Sequence, residues 1–146
     1  MKRLGYIADS EEYQVGNFGT IYTQFQGKPK EAIKFLMKKQ EGECVNALYR
    51  KDIGFIDIVW GKNDAKTNKG CGLKHIIEKH GEEIKQLGYK VEDFIPIIVE
   101  YGNLSLSDNG EEYLLQSEMF RVVVERYAFG KEKQWVLSAF DLRKKP

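Results

Sequence analysis

GFIDIVWGKNDAKTNKGCGLKHIIEKHG, residues 54 to 81, carries the passage from strand to helix on which the fold turns. FIDIVWG is β-branched and aromatic, as a strand should be. Before it stands ECVNALYRKDIG, whose RKDIG supplies a turn, so residues 43 to 61 read as a β-hairpin. Asp57 is a lone carboxylate inside the apolar run. It is either a buried functional acid or the strand's solvent-facing position. GKNDAKTNKGCG is a polar loop bounded by glycines, and a helix follows from about Leu73 to Leu87. Leu73, Ile76, Ile77, Ile84 and Leu87 share one face at helical spacing. His80 lies in the middle of that face. His75 sits in the first turn and points roughly the other way, because five residues of α-helix rotate a side chain by roughly 140° from its starting direction.

Upstream, the first 27 residues are rich in glycine and tyrosine without clear periodicity, and read as loop or as a short strand at GTIYTQF. KPKEAIKFLMKKQEG then reads as a helix that begins at Pro29 and stops at Gly42. Downstream, KVEDFIPIIVEYGN reads as a second short helix, interrupted or begun near Pro96. The tail EEYLLQSEMFRVVVERYAFGKEKQWVLSAFDL holds two or three strand-like runs, with FGKEKQ as a hairpin turn. The expected fold class is therefore α+β: N-terminal helices and a hairpin followed by a twisted antiparallel sheet. Residues 1–42 form an N-terminal segment with one helix, and residues 43–146 the main domain, together one compact unit.

Composition sets the bounds. The chain has 146 residues, 42% apolar and 31% charged, which suits a globular domain rather than a disordered one. A net charge of +1 argues against coating nucleic acid through a broad basic surface but leaves room for a local groove. The basic clusters LRKKP, GKNDAKTNKG and KFLMKK read as solvated surface. No run has the apolar length of a membrane span, and MKRLGYIADSEEYQ has no apolar stretch behind its two basic residues. The expected location is the cytoplasm of a host or target cell, reached directly or by delivery with a phage or toxin. Cys44 and Cys71 form no CxxC and read as small semi-buried residues.

Three chemistries can be weighed. Two histidines chelate a metal best three or four residues apart on a helix, and these are five apart, so no metal site and no cofactor is expected. No phosphate-binding G-x-x-x-x-G-K-[ST] loop is present, although GCGLKH opens a helix whose N–H groups could hold a phosphate. Metal-independent RNA cleavage needs a base for the 2′-OH proton, an acid for the leaving oxygen and a cation or donor for the phosphate. His75 and His80 supply the first two types. Arg121, Lys133 and Ser138 supply the third. Trp60, Trp135 or Tyr127 would stack a base if they are not core residues.

The ordered set IGFIDIVWG, GCGLKHIIEKHG and WVLSAFD resembles the phage- and toxin-associated barnase/colicin-like endoribonuclease domains. Their pattern runs G-[DN]-I-D-[LI]-V-W-G, then G-x-G-L-x-H-I-I-x-x-H, then W-[LV]-L-T-[AG]-[YF]. Gly54, Asp57, Trp60 and Gly61 match the first piece. Gly70, Gly72, Leu73, His75 and His80 match the second, and Trp135, Leu137 and Ala139 the third. Ser138 stands where threonine is usual and keeps the hydroxyl. Phe55 replaces a more polar residue, and Lys74 a small one. The resemblance covers about residues 43 to 142. It implies a metal-independent endoribonuclease acting on RNA, tRNA among the candidates, with an immunity protein or antitoxin as a partner. It implies His75, His80 and Ser138 as catalytic residues, with Asp57, Trp60 and Trp135 binding substrate. Arg121, placed by its location on the preceding strand rather than by a motif, is the further catalytic candidate, and Lys133 a further substrate-binding one. A non-catalytic RNA- or protein-binding phage module on the same scaffold is the alternative, and an unrelated enzyme using the histidine helix is a third.

Overall fold

The computed structural model describes residues 13–144. Strands β1 (Gln14–Gly16) and β2 (Gly19–Tyr22) come first, then helix α1 (Pro29–Lys39). The hairpin follows as β3 (Glu43–Arg50) and β4 (Gly54–Val59), then a two-stranded ribbon of β5 (Lys62–Asn63) and β6 (Gly70–Cys71). The histidine helix comprises α2 (Gly72–His75), a π turn (Ile76–His80) and α3 (Gly81–Gln86). Helix α4 (Val91–Tyr101) precedes β7 (Asn103–Leu106), β8 (Glu112–Gln116), β9 (Phe120–Ala128) and β10 (Lys131–Asp141).

Eight strands form one sheet in the order β1-β2-β3-β4-β10-β9-β8-β7. This corrects the expected layout in two ways. The helices are spread along the chain rather than gathered at its N-terminus, while the short strand expected in GTIYTQF forms as β2. The sheet is mixed, because β2 pairs with β3 and β4 with β10 in parallel. The last strand thus inserts beside the hairpin at the centre of the sheet. The β1–β2 pair and α1 join the same sheet and core as the rest of the chain.

Local chemistry accounts for most elements. Pro29 opens α1, Ala32, Ile33 and Leu36 bury its apolar stripe, and Gln40 ends it in the left-handed region at φ 58°. In β3 the register slips between Cys44 and Leu48, and Asn46 takes φ 57°. That irregularity is why Cys44, Ala47 and Tyr49 do not alternate cleanly. Helix α4 runs unbroken through Pro96. The buried Phe94, Ile95, Ile98 and Val99 hold it together across the lost backbone donor. The helices pack on one face of the sheet, where Ile56, Ile58, Leu115, Val122, Val124, Val136 and Ala139 meet Ile33, Leu36, Leu73, Ile76, Ile84 and Phe94.

Among the described residues no helix is long and apolar enough to cross a membrane.

Candidate active site

The register of β9 against β10 decides which residues share a face. Arg121 pairs with Phe140, Val123 with Ser138, and Glu125 with Trp135. Directly paired residues point to the same side of a sheet. Val122, Val124, Val136 and Ala139 occupy the core side. Arg121, Ser138, Phe140 and Trp135 therefore line the other. Asp57 joins them, since it is the parallel partner of Trp135 and alternates with the core residues Ile56 and Ile58.

His80 reaches one end of this row. Its ring lies 5.5 Å from that of Phe140, tilted by 37°. The two histidine rings meet edge to face at 5.8 Å. This departs from the α-helical expectation that they diverge, and the π turn is the reason. A π turn bonds residue i to i+5 rather than i+4, which stacks positions five apart over one another. His75 and His80 are that pair, and the wider turn ends at His80 itself.

The ribbon fixes the state of His75. Its Nδ1 lies 2.7 Å from Asn63 Oδ1. Asn63 Nδ2 in turn donates to Glu78 Oε1 at 3.1 Å. A carboxylate only accepts, so the Asn63 amide nitrogen must face Glu78 and its oxygen must face His75. The proton of neutral His75 then sits on Nδ1, and proton-transfer chemistry falls to Nε2. His75 is only 7% exposed. Burial, followed by the positive charges of His80 and Lys79, pulls its pKa below the usual value, which favours the neutral ring. His80 is oriented from the other side, with Glu83 Oε1 3.3 Å from its Nδ1. The backbone N–H of Asp141 donates to Glu83 Oε2 at 3.0 Å and anchors that carboxylate to β10.

Asn63, Glu83 and Phe140 were not singled out by sequence reasoning. Glu83 carried a signal, three residues beyond His80 on the same helix face. Asn63 carried none, since only the ribbon brings it across 12 residues of chain to His75. That ribbon depends on glycine. Gly61 has φ 77°, and a Cβ there would stand 2.0 Å from the Cys71 carbonyl oxygen. Gly61→Ala is expected to destabilise the protein by more than about 2 kcal/mol, from backbone strain and the clash together. A thermal melt beside wild type checks it, and an unchanged midpoint would refute the close approach.

The two basic residues proposed for phosphate are placed very differently. Arg121 Nε and Nη2 donate to Gln116 Oε1 at 2.9 and 2.7 Å. A neutral amide thus aims the guanidinium, and among the described residues no carboxylate pairs with it. Lys133 lies inside a charged trio, with Nζ 2.6 Å from Glu43 Oε1 and 2.5 Å from Asp57 Oδ2. Burial depresses the ammonium's pKa, but the hydrogen bonds and charges of Asp57 and Glu43 outweigh it, and the net direction is upward. Asp57 Oδ1 also accepts the Asn46 N–H at 2.7 Å, which the irregular β3 makes reachable. Asp57 is therefore a buried acid and not a solvent-facing strand position. Trp60 packs against the core. Trp135 is buried against Phe18 at 4.8 Å, and its indole N–H donates to the Tyr127 carbonyl. Among the described residues no three His, Cys, Asp or Glu side chains converge as a metal site requires.

Residues 47–146 match the family model described as phage-Barnase-EndoU-ColicinE5/D-RelE like nuclease1. The chain belongs to this nuclease family. No curated protein and no solved structure matches it. The family match begins within β3 and takes in both histidines, the ribbon and all of β9 and β10.

Proposed function

We propose that this member of the nuclease family is an endoribonuclease that cleaves by attack of the 2′-OH on the adjacent phosphate. The observation that carries this reading is the meeting of two histidines at 5.8 Å across a π turn, each oriented by its own partner. Neutral His75, protonated on Nδ1, takes the 2′-OH proton at Nε2. As the 2′-oxygen bonds to phosphorus, the 5′-oxygen leaves and takes a proton from His80. The Glu83 carboxylate faces His80 Nδ1, so Nε2 is the nitrogen that serves the leaving oxygen. Arg121, one strand over from Phe140, neutralises the extra charge on the phosphate, and the Ser138 hydroxyl adds a donor on the same face. The products are a 2′,3′-cyclic phosphate and a 5′-OH, and every proton is accounted for without a metal in any step. The trio of Lys133, Asp57 and Glu43 holds the sheet below the substrate. A tRNA is one substrate of suitable size, action as a toxin follows if the enzyme reaches a foreign cytoplasm, and an inhibitory protein partner would then protect the producer.

The test is digestion of total tRNA and rRNA in EDTA, beside one susceptible oligonucleotide carrying 2′-deoxyribose at its cut site. Cleavage of the ribose substrate to a cyclic phosphate, with the deoxy substrate intact, is the expected result. RNA that is bound but never cut would replace the enzyme with a binding module on the same scaffold. Equal cleavage of both substrates would overturn attack by the 2′-OH.

A further inference from the structure

A pocket of about 460 Å³ opens at the end of the β9–β10 hairpin, far from the histidines. Phe18, Phe55 and Phe129 wall it, and Lys133, Asp57 and Glu43 form its floor. Phe129 is the unusual member. It occupies the first central position of a two-residue hairpin turn, with Phe129 at φ 52° and Gly130 at φ 78°. Such turns take Asn, Asp or Gly, and a bulky aromatic in the left-handed region is a strained choice. It is also 64% exposed, and its ring meets Phe18 edge-on at 5.3 Å. Folding alone gains little from that arrangement. Strain held at an exposed aromatic points to a ligand.

The floor states which ligand. Glu43 and Asp57, with side chains 4% and 13% exposed, already engage Lys133. The Lys133 side chain is 23% exposed, and its ammonium has three N–H groups, of which these carboxylates use two. The pocket thus offers aromatic surface, and its floor offers one N–H donor. Two carboxylates against one ammonium sum to −1, which disfavours an anion, and both carboxylates already engage Lys133, so a cation would have to compete with that ammonium. A flat neutral heterocycle bearing a carbonyl oxygen fits both features.

Resting on the endoribonuclease reading, we infer that this pocket is a nucleobase subsite, in which one base of the RNA stacks on Phe129 and Phe18 with a ring carbonyl accepting from Lys133 Nζ. Lys133 and Phe140 are seven residues apart on β10, roughly 20 Å at strand rise. The base held there is therefore several nucleotides from the bond cut at the histidines. The pocket measures out an extended single strand along the sheet.

Two measurements test this. Titrating the protein with guanosine and with uridine, read by tryptophan fluorescence because Trp135 packs on Phe18, does not depend on cleavage. Binding that weakens about 5- to 150-fold in Phe129→Asn is expected, the loss that corresponds to one stacked base. The same variant should melt a few degrees higher, since asparagine relieves the turn. With an RNA substrate, the drop in wild-type KM on lengthening a dinucleotide to an octanucleotide should shrink by the same factor in Phe129→Asn. Nucleoside binding equal in wild type and variant, or competition by ribose 5-phosphate as strong as by guanosine, would overturn the subsite. If nucleosides bind as expected while no RNA is cut, the subsite stands and the catalytic reading falls.

Discussion

Replacing His75 with alanine is expected to lower RNA cleavage by about 100- to 10,000-fold, the range a positioned general base contributes. His80→Ala should do the same through the departing 5′-oxygen. Both variants should keep a cooperative melt, because Leu73, Ile76 and Ile84 anchor the helix to the core independently of either ring. The pH profile separates the two roles. A base must be neutral to act, and burial lowers the pKa of His75. The acid limb of kcat/KM should therefore fall below about pH 6.5, the value of an unperturbed histidine. His75→Ala should remove that limb from the residual activity, whereas His80→Ala should leave it. Full cleavage by both folded variants would refute the histidine assignment. An acid limb above pH 7 would refute His75 as the base.

Lys133→Met is expected to destabilise the protein by about 3–5 kcal/mol, because Glu43 and Asp57 would be left buried without a counter-charge. For a chain of this length that is a fall in Tm of roughly 10–20 °C. The partners distinguish the cause. Glu43→Gln and Asp57→Asn introduced with Lys133→Met should recover most of the loss, because no unpaired charge then remains. A cost under about 1 kcal/mol for Lys133→Met alone would mean that water screens the trio as it does a surface pair. The same expectation separates Lys133 from Arg121. Arg121 is held by the neutral Gln116, so Arg121→Ala should act on cleavage far more than on stability.

Much of this is legible in the sequence. Helix α1 begins at Pro29 as its sequence indicates and runs to Lys39, three residues short of Gly42. The hairpin of β3 and β4 and the pairing of β9 with β10 follow from β-branched and aromatic runs around turn residues. The histidine helix shows in the spacing of its apolar residues, and the resemblance of three ordered motifs pointed to the family that the chain belongs to. The local pattern leaves Asp57 open between two roles. Its burial depends on Lys133 and Glu43, 76 and 14 residues away, and no local pattern reports partners at such separations.

The individual segments are set locally. Periodicity, glycines and prolines act over a few residues, and those short-range terms set where helices and strands begin and end. How they combine is set by contacts between residues far apart in the chain. The parallel insertion of β10 beside β4 puts Asp57, Trp135, Ser138 and Arg121 on one face, because strand order minimises exposed core across the whole chain and leaves no local trace. The π turn decided the histidines. An ideal α-helix turns His75 and His80 apart. One wider turn, held by Ile76 in the core and by Asn63 and Glu83 at the two rings, brings them together.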